Sequence, residues 1–505
     1  MPAIDHVFVL MLENRSFDHM LGFSAITGLD AETHLPTSVK GPPAGAANSW
    51  NGQNFPAGPP PVDPVKTDPY HEFTDVLEQL CSGSATYGPG GPYPPINNNG
   101  FVSNFAEDAK SPTPGDVMHC FAPARLPVLS ALAQEFAVCD SWFCSMPGPT
   151  WPNRFFALGA SSAGLDHSPT SAETVIWDTM DGFRFDNGSV FDATRNFLLW
   201  KRKLKWRIYA GNKIFVFAHA LKGIHIWDIT RYSHFAKDVS DPRYPAQFTW
   251  IEPNYGHVTT DYLAGNSQHP LDGVSGGEAL IKYTFEALRN SPLWESSMLV
   301  ITWDEHGGFF DHVAPPKAIP PGDAPQFSGA NRYGFAFDQY GPRVPAVVVS
   351  PLVVRNTIDH RRYDHSSLLA TVERLFHLRP LTARDRTALD LRPLAVLSQP
   401  RFVSPDLLRL SPDAESIHQQ IPLDTLDMEA PPPTRPDESV ESDRNLPGFL
   451  YIAAKADKEL PPEGVDLKTH TVRVRERVRA IRTRRDAQVY FEEVRRKTAA
   501  AEARA

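Results

Sequence analysis

Two short apolar runs, each ending abruptly on acidic residues, constrain this chain more than any other feature. Residues 4–12 (IDHVFVLML) run straight into Glu13-Asn14-Arg15-Ser16, and residues 297–303 (SMLVITW) into Asp304-Glu305-His306-Gly307-Gly308. Runs of this length and β-rich character read as strands buried on both faces, the habit of a parallel sheet. Residues 344–350 (VPAVVVS) have the same character. Helical patterns near 71–81, from 126, after 150, and over 275–291 and 363–377 alternate with them. The alternation predicts an α/β fold, a mostly parallel central sheet sandwiched by helices. Ligands of such sheets bind beyond the carboxyl ends of the strands, and both acidic clusters are delivered there.

Composition sharpens the organisation. The 48 prolines and 32 glycines among 505 residues are too many for a helical bundle and fit long ordered loops draped over a scaffold. They are dense in 36–100 (GPPAGAANSWNG, GPPPVDP, YGPGGPYPPINNNG). The predicted layout is a catalytic domain over residues 1–400, with 36–115 as a loop-rich cap or wall of the site, and a C-terminal extension over 401–505. That extension is Pro-rich and acidic through 411–443, then Arg-rich and helical from 472, and reads as an appended element more than as core.

A formal net charge of −10 does not supply the basic surface that neutralises nucleic-acid phosphates, so no nucleic-acid partner is expected. Cys81, Cys120, Cys139 and Cys144 are too irregularly spaced for a disulfide scaffold or a paired-cysteine zinc site. No basic n-region precedes the first strand-like run, and no apolar stretch reaches the ~18 residues of a membrane span. A soluble, cytoplasmic protein is the default expectation.

Glu13, Asp304 and Glu305 gathered at strand ends would repel one another and raise their pKa values unless a cation sat among them. With the Asn14 carbonyl the donor set is all oxygen, which suits one hard divalent ion, with Ca, Mg, Mn and Zn unresolved. Taken singly, each of these residues also reads as a strand-end cap. Thr150, in Pro147-Gly148-Pro149-Thr150-Trp151-Pro152-Asn153-Arg154, opens a helical run. There a hydroxyl ordinarily caps the helix, yet the same free N–H groups favour a phosphate, and an adjacent metal would make the hydroxyl a nucleophile. Local pattern leaves both readings open. Asn153 and Arg154 add donors for phosphoryl oxygens.

Six segments in order carry a resemblance: IDHVFVLMLENRSFDHMLG at 4–22, CSMPGPTWPNR at 144–154, NSQHPLDGVSGGEALI at 266–281, ITWDEHGGFFDHVAPP at 301–316, YGPRVPAVVVSPLV at 340–353 and YDHSSLLATVERLF at 363–376. The chain resembles the phosphoesterase family of bacterial phospholipases C, plant non-specific phospholipases C and related bacterial acid phosphatases. The resemblance implies an alkaline-phosphatase-like fold, a metal bound by Glu13, Asn14, Asp304 and Glu305, and Thr150 as both metal contact and nucleophile. It also implies that His71, in Asp68-Pro69-Tyr70-His71, contacts the phosphoryl group. His269 lies in a family motif and is the candidate to protonate the leaving oxygen. His312 and His365 are expected only to brace loops. Many members carry a histidine shortly after a Trp-x-x-Tyr segment, where this chain has Ala210-Gly211-Asn212.

The predicted function is metal-dependent hydrolysis of phosphoric esters through a phosphothreonine intermediate, phospholipase C-like on phosphodiesters such as phospholipids, with acid-phosphatase-type monoester hydrolysis as the alternative. A further alternative is a membrane- or partner-binding role for the Arg-rich run from Val472 to Arg482. Against it stands the plainer reading of a solvated helix whose arginine stems pack on the core.

Overall fold

The computed structural model describes residues 4–83, 85–195, 202–408 and 431–504. Ten strands form one sheet: β1 (His6–Leu12), β2 (Thr27–Asp30), β3 (Pro36–Ser38), β4 (Ala137–Cys139), β5 (Trp206–Ala210), β6 (Ile229–Arg231), β7 (Phe248–Glu252), β8 (Ser297–Trp303), β9 (Ala346–Val349) and β10 (Thr357–Asp359). Their order is β6-β5-β7-β1-β8-β9-β4-β10-β2-β3. The run from β6 to β8 is parallel throughout, β9 is antiparallel to both its neighbours, and β3 runs against β2 at the edge. The sheet is therefore mostly parallel, as the apolar runs predict.

β1 and β8 sit at its centre. Val7 to Leu12 and all of Ser297–Trp303 are buried, which is why both read as unbroken apolar runs. β5 (WRIYA) and β7 (FTWIE) escape sequence reading because each carries a charged residue. In β7 that residue, Glu252, is buried and satisfied: its carboxylate accepts the Phe217 and Ala218 N–H groups at 2.8 and 2.9 Å and the Trp250 indole N–H at 2.9 Å. A buried charge this well hydrogen-bonded is tolerated in a central strand.

The 36–115 excursion holds a small hairpin (Ala47–Trp50 with Gln53–Pro56) and helices Phe73–Cys81 and Phe101–Glu107. Its apolar side chains Phe73, Val76, Leu80 and Phe101 form a second cluster with Phe156, Phe309 and Phe310, which anchors it above the loop that follows β8.

The C-terminal region differs from expectation. Helices Leu446–Lys458, Leu467–Arg479 and Arg484–Glu502 follow residue 431, and Leu446, Phe449, Ile452, Tyr490, Phe491 and Val494 belong to the same apolar core as the sheet. A Cβ on Gly448 would lie 2.1 Å from the Trp151 ring, so the first of these helices touches the residue after Thr150 directly. The segment is not appended to the core but part of it. Its acidic and Arg-rich composition hides a short apolar stripe, 446–456, that packs together with Tyr490, Phe491 and Val494 of the last helix. The Arg-rich helix buries only His470 and Val474, with Arg475 paired to Asp178 and Arg477 to Glu493. The acidic stretch 409–430 lies outside the described residues. Among the described residues no helix is long and apolar enough to cross a membrane.

Candidate active site

The register that pairs Leu12 with Trp303 sets Glu13 beside Asp304 at the carboxyl ends of β1 and β8. Asn14 then turns the chain at φ 58°, and its N–H donates to Asp304 Oδ1 at 3.0 Å. The Arg15 N–H donates to the Glu305 carbonyl at 2.9 Å. This crossing requires Gly307: at φ +65° a Cβ there would lie 2.1 Å from the Asn14 carbonyl oxygen.

Thr150 is the first residue of helix Thr150–Gly159. Pro149 occupies the cap position, and no side chain caps the helix. The cap reading of Thr150 therefore fails on geometry. Its Oγ1 is buried and donates instead to Asn14 Oδ1 at 3.3 Å. Asn153 also departs from expectation. Its Oδ1 accepts the Met146 N–H at 3.1 Å, and its Nδ2 donates to the carbonyls of Met146, Gly148 and Pro149 at 3.3, 3.0 and 3.1 Å. With the amide fully engaged in the turn before Thr150, Asn153 shapes that turn and has no donor left for substrate. Arg154 donates from Nε to Asp304 Oδ2 at 2.9 Å and from Nη2 to the Leu12 carbonyl at 3.0 Å. Its Nη1 has no acceptor.

The carboxylates are unevenly satisfied. Asp304 accepts from Asn14, Glu305 and Arg154. Glu305 Oε2 accepts the Gly307 N–H at 2.7 Å, while Oε1 meets no donor. Neither oxygen of Glu13 meets a donor in hydrogen-bond geometry, although the Ser267 hydroxyl is close enough to ease its charge. Burial pushes Glu13 well above the usual carboxylate range, with Arg154 opposing and Asp304 adding. Burial likewise raises Glu305 to about 8, with His71 opposing and Asp304 adding.

The histidines come from loops. His71 donates from Nδ1 to the Pro69 carbonyl at 2.8 Å, which leaves Nε2 as an acceptor for the Asn14 amide at 3.3 Å and 3.7 Å from Glu305 Oε1. His269 stacks on Tyr262 with ring centroids 3.7 Å apart. Its Nδ1 accepts the Leu271 N–H at 3.4 Å, and its Nε2, 3.8 Å from Asp68 Oδ1, has no hydrogen-bond partner. Burial, with His71 and Arg15 nearby, holds its pKa well below the ordinary value. The loop before it carries Asp261, Tyr262, Ala264 and Gln268 at φ 51°, 62°, 63° and 68°, a density of left-handed residues that costs energy and clusters at functional sites.

A cavity of about 90 Å³ opens beside His71, walled by Asp68, Tyr70 and Tyr262 on one side and by Arg444 and Asn445 on the other. Asn445 donates to the Tyr262 hydroxyl at 3.2 Å. The Arg444 guanidinium lies 3.8 Å from the Tyr70 ring centroid and pairs with Asp75. Sequence reading missed Tyr262, Arg444 and Asn445, since none stands in a chemically suggestive pattern. Asp68 was visible as part of Asp-Pro-Tyr-His, without a role.

Two histidines brace loops. His365 donates from Nε2 to the Asp304 carbonyl at 2.6 Å. His312 joins Asp18 and Asp311 in a group whose ligand atoms lie within 4.8 Å of one another. Arg343 already balances that group, donating to Asp18 at 2.8 Å and Asp311 at 2.9 Å. In the Ala210-Gly211-Asn212 stretch, Asn212 is buried, its Oδ1 accepting the Ile214 N–H at 3.2 Å and its Nδ2 without an acceptor among the described residues.

Residues 4–379 match the model of the Phosphoesterase family. The chain belongs to that family. Among relatives of this phosphoesterase, Non-specific phospholipase C3 of Arabidopsis thaliana is 32% identical over 433 residues, 82% of this chain and 77% of its own length. Phospholipase C B of Mycobacterium tuberculosis is 30% identical over 421 residues, 77% of each chain. The phosphoesterase is thus a phosphoric ester hydrolase. A protein of the alkaline phosphatase superfamily from Vibrio parahaemolyticus overlays 53% of this chain and 64% of its own at 13% identity and a TM-score of 0.32. The fold assignment rests on the sheet itself and takes nothing from that overlap.

Proposed function

We propose that this phosphoesterase hydrolyses phosphodiesters of the phospholipid kind in a phospholipase C-like reaction, through a phosphothreonine at Thr150, with one divalent metal ion held by Glu13, Asn14, Thr150, Asp304 and Glu305. The observation that carries the reading is the pair of orphaned carboxylates: both oxygens of Glu13 and one of Glu305 are buried without a donor. Uncompensated buried carboxylates cost several kcal/mol each in real proteins, and a lone Arg154, already engaged by Asp304, does not offset this pair. The donors they offer are all hard oxygens, joined by Asn14 Oδ1 and Thr150 Oγ1, so the residues fit a Mg²⁺-, Mn²⁺- or Ca²⁺-like ion.

Such an ion supplies Lewis acidity, lowering the Thr150 hydroxyl pKa and offsetting charge on the phosphoryl oxygens. The chain's own residues do the rest. The helix start behind Pro149 aims N–H groups at an anion. Arg154, fixed by Asp304 and Leu12, has Nη1 left for a phosphoryl oxygen. His71, its Nδ1 tied to Pro69, holds Nε2 toward the same place. The 36–115 excursion is the wall that brings His71 in. Diester preference is supported by the relatives, which are named as phospholipases C.

The test is turnover of phosphatidylcholine and of a chromogenic phosphomonoester, each with and without a chelator. Faster diester cleavage that the chelator abolishes is expected. Undiminished turnover in chelator would remove the metal, and a preference for the monoester would remove the phospholipase reading.

A further inference from the structure

We propose that Asp68 is a further catalytic residue of this phosphoesterase: its carboxyl group gives a proton to the leaving oxygen, and His269 holds the carboxylate that remains. The proposal rests on the reading of Thr150 as the nucleophile.

His269 is the obvious acid by position, but its hydrogen bonds assign it another part. Because Nδ1 accepts the Leu271 N–H, the neutral ring carries its one proton on Nε2. Losing that proton would leave an imidazolate, and gaining a second would set an N–H against the Leu271 N–H in a buried place. His269 is therefore fixed as a hydrogen-bond donor through Nε2, held by the Tyr262 ring against its face. Asp68 Oδ1 lies 3.8 Å from Nε2, in ion-pair range and longer than a hydrogen bond, so a small shift of either side chain joins them.

Asp68 differs from the other acids around the cavity. Asp261 is paired with Arg435 at 3.2 Å and Arg484 at 3.3 Å, Asp443 with Arg484 at 2.6 Å, and Glu438 with Arg435 at 3.4 Å. Among the described residues Asp68 forms no ion pair with an arginine or lysine, and its Oδ1 is sealed without a hydrogen bond, while the side chain as a whole keeps 34% of its surface open. It stands on the same short turn as His71, stiffened by Pro69, so the acid and the phosphoryl-facing imidazole share one frame. Burial raises its carboxyl to about 7, with Asp443 and Asp261 adding and Arg444 and Arg435 opposing. Glu305 and the Nε2–H of His269 face it from the sheet side and the 262–269 loop. It thus keeps its proton to a higher pH than an ordinary aspartate does.

The steps balance. Ionised Thr150 Oγ forms its bond to phosphorus as the bond to the leaving oxygen breaks, and the electron pair goes to that oxygen. The oxygen takes the Asp68 proton and leaves as an alcohol. The Asp68 carboxylate then accepts a proton from water as that water's oxygen bonds to phosphorus, and Thr150 leaves ionised, restoring both residues.

Protonating the leaving oxygen matters for an alkoxide and hardly at all for a nitrophenolate. The experiment compares Asp68→Asn with wild type, in whichever of Mg²⁺, Mn²⁺ or Ca²⁺ supports most turnover, on an alkyl and a p-nitrophenyl ester of the same phosphoryl group. Loss of kcat by about 10²-fold or more on the alkyl ester and within about threefold on the nitrophenyl ester is expected. Equal losses on both, or none on either, overturn the proposal. Should Asp68→Asn fold poorly, wild type suffices: its alkyl-to-nitrophenyl rate ratio falls as pH rises through about 7, and a flat ratio overturns the proposal. Thr150→Ala separates the two readings, because that variant loses both substrates only if Thr150 is the nucleophile.

Discussion

Glu13, Asp304 and Glu305 are fixed by two strands that pair over the full length of β1, whereas Asp68, His71 and His269 hang on loops that the C-terminal region fastens from outside. The first group is held by the chain's own register and is fully buried. The second depends on contacts such as Asn445 to Tyr262, 183 residues apart, and Arg444 to Asp75, 369 residues apart. The difference teaches that one site can have a half set by strand register alone and a half that long-range contacts, those of the last helices among them, hold in place. On the proposed mechanism it also divides the chemistry, with charge and nucleophile beside the sheet edge and proton transfer on the wall.

Breaking the sheet half should have the largest effect. Glu13→Gln removes a carboxylate whose oxygens meet no donor in hydrogen-bond geometry among the described residues, so kcat/KM is expected to fall by at least about 10³-fold with weaker metal binding by calorimetry. The same variant should be at least as stable as wild type in chelator, because it replaces a carboxyl whose ionised form burial disfavours. Next comes the joint between the halves. Gly448→Ala drives a methyl into the Trp151 ring and is expected to lower unfolding free energy by about 1–3 kcal/mol, read from denaturant melts. Asn445→Leu touches only the wall: a roughly tenfold loss of kcat on an alkyl ester is expected if realignment of Tyr262 and His269 costs about 1.4 kcal/mol, with metal affinity unchanged. Altered metal affinity in that variant would erase the distinction between the halves.

The smallest expected effect is a pH dependence of stability from both halves, with Glu305 on the sheet side and Asp68 on the wall contributing with the same sign. Folded, metal-free Glu305 has its pKa raised from an ordinary 4.5 to about 8, so between those values the folded state holds a proton that the unfolded state releases. Its contribution is greatest below 4.5 and is lost as pH rises toward about 8. The thermal midpoint in chelator should therefore fall across that window, and added metal should flatten the fall.

The sheet half was legible in sequence because each strand is buried on both faces and ends on carboxylates, so apolar runs located Glu13 and Asp304 directly. Thr150 was legible as a helix start, yet only the structure puts Pro149 at the cap and frees the hydroxyl for Asn14. Asn153 was misread because a lone amide in a turn looks the same whether it binds a ligand or three carbonyls. Strands β5 and β7 were hidden by Arg207 and Glu252, whose charges are settled by partners far along the chain. The C-terminal wall was hidden most thoroughly: a short apolar stripe inside acidic and Arg-rich sequence gives no sign of where it docks.

The most direct test of the central claim is to quench the metal-loaded enzyme in acid during turnover of a phosphodiester and to map the peptide containing Thr150 by mass spectrometry. A phosphoryl adduct on Thr150, absent when substrate is omitted, is the expected result. An unmodified Thr150 under full turnover, together with near-normal activity of Thr150→Ala, would contradict it.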